Sequence, residues 1–182
     1  MTERFPGAHI LEFDGIAPKI AEDVFIAPGA VIVGDVEIGP GSSVWFNAVL
    51  RGDVASIRVG AGTNVQDLAL LHVDRGNPCV VKDNVTIGHS AVVHGTVLED
   101  DVTIAMGAVV LSRSRVGRGA VIAAGAVVTE GFLVAPGALM VGVPAVMKTT
   151  LNPERRQQLA AIASLYVANG RRFMATMRPV EE

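Results

Sequence analysis

Apolar residues recur every six positions along most of this 182-residue chain, and that period constrains the fold more than any other feature. One run comprises Ile20, Ile26, Ile32, Ile38, Val44 and Leu50; a second comprises Leu98, Ile104, Val110, Val116, Ile122, Val128, Val134 and Met140. Between them stand Val59, Val65 and Leu71, then Val81, Ile87 and Val93, with three extra residues after Leu50 and four after Leu71. A period of six matches neither an amphipathic helix nor a half-buried strand, but it suits a coil of triangular cross-section. Each hexad then supplies one short strand and one corner, and its marker side chain points inward onto a counterpart about eighteen residues later. Composition agrees: half the residues are apolar but aromatics make up 4%, so the core must be Val, Ile, Ala and Leu, a balance that favours short strands.

Hexads such as "IGPGSS", "VGRGAV", "IAAGAV" and "VAPGAL" resemble those of the hexapeptide-repeat proteins, which fold as left-handed parallel β-helices. The handedness is implied by that resemblance alone, since the general crossover rule favours the right hand. The expected fold class is therefore all-β, a left-handed parallel β-helix with a C-terminal α-helix. Residues 1–19 read as a lead-in strand and residues 20–145 as the β-helix. Residues 152–177 read as a helix capped by Asn152 and begun by Pro153, with Leu159, Ile162, Tyr166 and Phe173 near one face.

A net charge of −3 gives no reason to expect nucleic acid, and Arg113, Arg115 and Arg118 read as a solvated turn. The apolar runs are too short to span a bilayer, and Met1–Pro6 lacks the apolar core of a signal peptide. The single cysteine, Cys79, excludes an internal disulfide and fits a reducing cytoplasm.

Three of the four histidines, His72, His89 and His94, fall in the middle of the repeat. If each insertion bulges at a corner, the hexads starting at 50, 71 and 93 share one face, and those starting at 65 and 87 share the preceding one. Arg51, His72 and His94 then form one column, with neighbouring coils ~4.8 Å apart. Two imidazole nitrogens bound at ~2.0–2.1 Å to one tetrahedral metal stand roughly 3.3 Å apart, so His72 and His94 can share an ion. His89 lies on the other face, where it can meet the same ion only across a subunit boundary, as in three prisms packed about a threefold axis. Three nitrogen ligands and one open position describe a catalytic zinc site. Taken one at a time, each histidine reads as an ordinary polar residue on a sheet exterior; two in one column with the third on the other face weigh against that reading.

The motifs "WFNAVLRGD" (45–53), "TNVQD" (63–67), "LLHVD" (70–74), "IGHSAVVHG" (87–95), "MGAVV" (106–110), "AAGAVVT" (123–129) and "VGVPA" (141–145) resemble the gamma-class carbonic anhydrases. The resemblance implies a homotrimer with metal at the subunit interfaces, held by His72, His89 and His94, with zinc as the metal and iron or cobalt as alternatives. It implies that Arg51 and Asp53 form an interface pair with Asp67 as partner across the boundary, and that Gln66 orients the reacting water. Asn64 reads as a corner residue, while Tyr166 reads either as a pocket residue or as core packing. The implied activity is reversible hydration of CO2 to bicarbonate by a zinc-bound hydroxide.

Two departures place the chain with a shorter subgroup of that family. Val54 stands where active members carry Glu, and the short "VDRGNP" (73–78) replaces an acidic proton-shuttle loop. Asp74, the one acid in that segment, reads as a turn residue. Some relatives of this subgroup act on acyl-CoA thioesters and others serve as scaffold subunits, so those two functions stand as the alternatives.

Overall fold

A computed structural model describes residues 4–180, so the first three residues of the expected lead-in lie outside the described residues. The chain winds into the left-handed parallel β-helix expected, with one helix laid along it. Each marker residue from Ile26 to Met140 is buried and they stack in three inward ladders; Ile20, in the first coil, is only half-buried. The first face aligns Leu50 with Leu71 and Leu71 with Val93, the second aligns Val59 with Val81, and the third aligns Val65 with Ile87. Ala30, Ala48, Ala69, Ala91, Ala108 and Ala126 form a further buried column. They lie two residues before the first-face markers, where the chain enters that face and only a small inward side chain fits.

The two insertions change no face. The long strands Val31–Ile38 and Val49–Val59 run from the first face round a corner onto the second. Their register jumps from Gly34↔Gly52 to Val36↔Ile57, so the three extra residues form a bulge. The four extra residues after Leu71 form a turn closed by a bridge between Asp74 and Asn77. Upstream, His9–Leu11 adds a parallel strand beside Val31–Val33, and His9 itself is exposed. Downstream, Val146–Thr150 turns back antiparallel on Ala138–Val141, an element with no hexad signal.

The C-terminal helix spans Pro153–Thr176: the Asn152 side chain accepts from the Arg155 N–H at 2.8 Å, and proline fills the first turn. It lies on the outside of the third face against Phe25–Ile26, Ser43–Val44 and Asn64–Val65. Its closest contacts come from small residues: Ala163 and Gly170 are its buried positions, while Leu159, Ile162, Tyr166 and Phe173 are half-buried at the margins. A Cβ at Gly170 would stand 3.1 Å from the Phe25 Cβ, so glycine sets the helix-to-sheet spacing there. Phe25, Trp45, Tyr166 and Phe173 close a small aromatic cluster beside this contact. None of the described helices is long and apolar enough to cross a membrane.

The second face is charged. Lys82 and Arg115 both pair with Glu99, and Arg58 pairs with Asp35 and Glu37. Arg113 and Arg118 pair with Glu130 and Asp101, so each arginine of the 113–118 cluster has an acidic partner. The first face is the opposite: its outward column of Val31, Val49, Leu70, Val92, Val109 and Val127 is apolar and only half-buried in the single chain.

Candidate metal centre

Strands Leu70–His72 and Val92–His94 end on the first face with their histidines in register, one coil apart. His72 Nδ1 lies 2.9 Å from His94 Nε2, and the ring centroids are 4.9 Å apart. The remaining ring nitrogens are both engaged. His72 Nε2 is 3.0 Å from Asp53 Oδ1, and His94 Nδ1 is 2.9 Å from Ser112 Oγ. Ser112 in turn donates to Asp74 Oδ2 at 2.5 Å.

Proton bookkeeping across these bonds decides what faces what. A carboxylate only accepts, so Asp53 takes the Nε2–H of His72, which in the neutral ring leaves Nδ1 as a lone pair. Ser112 has one proton and gives it to Asp74, so its oxygen accepts the Nδ1–H of His94 and leaves Nε2 bare. Two imidazole lone pairs therefore face one another at 2.9 Å, an arrangement that repels unless a cation lies between them, either a shared proton or a metal ion. The donor set fits a divalent metal with a modest opening of the pair toward the roughly 3.3 Å that a tetrahedral ion requires.

Asp53 anchors more than one group. It pairs with Arg51, accepts from the Val54 N–H at 3.0 Å, and holds His72. Partial burial pushes its carboxyl up, but the bonds from His72 and the backbone, with the Arg51 charge, outweigh this and hold it below the usual value. The Asp74 carboxyl also lies low, chiefly because the Ser112 hydroxyl donates to it.

His89 sits elsewhere. It follows Thr86–Ile87 at the corner between the third and first faces, directly above Asp67, whose Oδ2 is 2.7 Å from its Nδ1. In the neutral ring that bond leaves His89 Nε2 as the lone pair, and the side chain is 44% exposed. Among the described residues of one chain, no three His, Cys, Asp or Glu side chains come together around a common point.

Gln66 is buried beside this corner, and its Nε2 donates to Asn64 Oδ1 at 3.0 Å. Asn64 Nδ2 donates onward to Thr86 Oγ1 at 3.0 Å. Asn64 is thus a buried strand residue that fixes the Gln66 amide, rather than the corner residue expected. Among the described residues Gln66 Oε1 has no hydrogen-bond partner. Tyr166 packs edge-on against Trp45, with centroids 5.3 Å apart, and both burial and the Asp67 charge push its phenol up. The Trp45 indole N–H is satisfied by Ser43 Oγ at 2.9 Å.

Ser112 and the second role of Asp74 escaped the sequence reading. Ser112 stands one position beyond the Arg51, His72 and His94 column, and its partner is 38 residues away. The one available signal was a lone acid in the short insertion between the two histidine strands.

Comparison with known proteins agrees with the fold and the repeat. The family described as bacterial transferase hexapeptide (six repeats) matches residues 17–52 and 95–130. A carbonic anhydrase of Geobacillus kaustophilus is 42% identical over 166 residues, covering 91% of each chain. Gamma carbonic anhydrase 2 of Arabidopsis thaliana, named as mitochondrial, is 50% identical over 101 residues, 52% of this chain. The match spans only 36% of that plant protein's length. The solved structure of a hexapeptide transferase family protein from Anaplasma phagocytophilum superimposes with a TM-score of 0.87 at 36% identity, over 91% of this chain and 98% of that one. With the motifs and stacked histidines already described, this identity over nearly the full length is decisive: the chain belongs to the gamma-class carbonic anhydrase-like family of hexapeptide-repeat proteins.

Proposed function

We propose that the chain is a metal-dependent gamma-class carbonic anhydrase that hydrates CO2 to bicarbonate at sites shared between the subunits of a cytoplasmic homotrimer. The observation that carries the reading is the in-register pair of His72 and His94 ring nitrogens 2.9 Å apart on one face, with the half-exposed His89 ring on the neighbouring corner. His72 and His94 of one subunit and His89 of the next would hold the ion, with zinc favoured by three nitrogen donors and iron or cobalt as alternatives. The half-buried apolar column of the first face supports subunit packing there, since a monomer rarely leaves such a stripe wet. The buried, reduced thiol of Cys79 suits a cytoplasmic setting.

When bound, such an ion supplies a Lewis acid that makes water nucleophilic near neutral pH. The chain's own residues do the rest. Asp53 and Asp67 fix the tautomers of His72 and His89, a task in which carboxylate partners of metal-binding histidines are usual. Gln66 Oε1, left free by the bond to Asn64, accepts a hydrogen bond from the reacting water and orients it. Arg51 balances Asp53 and lies on the face that would meet the neighbouring subunit, where Asp67 is its partner. Tyr166 keeps its proton because burial disfavours the phenolate, so it serves as a hydroxyl donor and as packing for Trp45. With Val54 apolar and Asp74 committed to Ser112, neither position supplies an acid to carry the released proton, which would pass to external buffer.

Metal analysis of the purified protein together with stopped-flow CO2 hydration tests the reading. The expected result is about one zinc per chain and hydration that rises with buffer concentration. A second reading, hydrolysis of an acyl thioester at the same site, draws on the same short 73–78 segment. Zinc-dependent turnover of an acyl-CoA panel without CO2 hydration would favour it. Zinc with neither activity would favour a trimeric scaffold.

A further inference from the structure

We propose that Ser112 and Asp74 form a positioning pair that fixes the tautomer and ring orientation of His94. The proposal rests on the reading of His94 as a metal ligand, but the arrangement itself is visible without the metal. Ser112 is buried on the coil beyond His94, and its hydroxyl lies 2.9 Å from Nδ1 of that ring. Taken alone, a serine is an ambiguous partner: it can accept from Nδ1–H or donate to a bare Nδ1. Asp74 removes the ambiguity. By taking the single Ser112 proton at 2.5 Å, it leaves the oxygen only as an acceptor, so His94 must carry its proton on Nδ1 and present Nε2 bare to His72.

The chain makes room for this in two places. The insertion after Leu71 folds into the Asp74–Asn77 turn and carries the carboxylate from the coil of His72 to the coil of Ser112, two coils on. Gly95, at φ +47°, lies under the hydroxyl: a Cβ there would stand 2.9 Å from Ser112 Oγ and 3.2 Å from the Asn77 carbonyl oxygen. Any side chain at 95 would push the serine off His94 or the turn off the serine. The short 73–78 segment is therefore a holder for His94.

The two members of the pair have different predicted signatures. In Ser112→Ala the Nδ1–H loses its acceptor, and the His94 tautomer becomes mixed. In Asp74→Ala the freed hydroxyl can donate to Nδ1, and the proton moves to Nε2, where it bonds to His72 Nδ1 2.9 Å away and relieves the facing lone pairs; Nε2 is the nitrogen that must be bare. Ser112→Thr keeps the hydroxyl and should restore the wild-type state. The experiment is long-range 1H–15N NMR of the chelator-stripped full-length protein at fixed pH, with zinc affinity measured against a chromophoric chelator. Expected are an Nδ1–H His94 in wild type and Ser112→Thr, an Nε2–H His94 in Asp74→Ala, and zinc affinity lower by about 10–100-fold in the two alanine variants. An unchanged His94 tautomer with zinc affinity within about twofold of wild type in both alanine variants would overturn the proposal. Wild-type protein that binds no zinc would instead overturn the metal reading, while the metal-free tautomers would still decide the role of Ser112 and Asp74.

Discussion

Leu71 and Leu133 belong to the same six-residue repeat, but one is a marker and the other precedes one, so truncating each to alanine separates inward from outward positions. Leu71 is fully buried, stacked between Leu50 and Val93; Leu133 is 73% exposed on the second face. Leu71→Ala removes three carbons, about 2.4 kcal/mol of transfer free energy at ~0.8 kcal/mol each. Coil spacing is fixed by hydrogen bonds above and below, so neighbours cannot close the hole, which adds about 1–2 kcal/mol. The expected cost is about 4 kcal/mol, against less than about 0.5 kcal/mol for Leu133→Ala. Urea unfolding followed by Trp45, the single tryptophan, gives both values if protein concentration is held constant and EDTA removes any metal. A cost below about 1 kcal/mol for Leu71→Ala, or equal costs for the two, would refute the stacked-marker account of the core.

Two further outcomes follow from the surroundings of single groups. Glu99 is held below the usual glutamate value first by the Lys82 hydrogen bond and further by Arg115, against a smaller opposing effect of burial. Its depressed folded value means that it stabilises the fold above the unfolded value near 4.5 and loses that contribution as the pH falls further. Wild type should exceed Glu99→Gln in stability at pH 7, with the gap closing below about pH 4.5 in urea titrations. Cys79 is buried and its thiol is pushed up to about 12, so it should resist a thiol reagent such as DTNB in the native state and react fully in denaturant. Prompt labelling of native protein would contradict that burial.

Much of this architecture was legible because a solenoid repeats one local decision. Once the marker period is recognised, face assignment is arithmetic, and the columns 50–71–93 and 65–87 follow with only the rule that insertions bulge at corners. The stacking of His94 on His72 came from that count. What stayed hidden depends on contacts that no period encodes. Asp74 looked like a turn residue and is one, yet its carboxylate also crosses two coils to Ser112. Asn64 looked like a corner and instead locks the Gln66 amide in a buried polar chain. The helix showed an apolar stripe, but a flat sheet is approached most closely through Ala163 and Gly170. Leu68 adopts φ +62° at an exposed corner beside Asp67, a backbone state that an apolar residue other than glycine gives no reason to expect.

The central claim is that each metal site takes His72 and His94 from one chain and His89 from another. Co-refolding equal amounts of His89→Ala and His94→Ala chains, each unable to bind zinc alone, tests it most directly. In a randomly assembled cyclic trimer, each interface joins an intact His72/His94 pair to an intact His89 with a chance of about one in four. The mixture should therefore regain about one quarter of the wild-type zinc content. No zinc in the mixture, while each variant still assembles, would contradict the shared site.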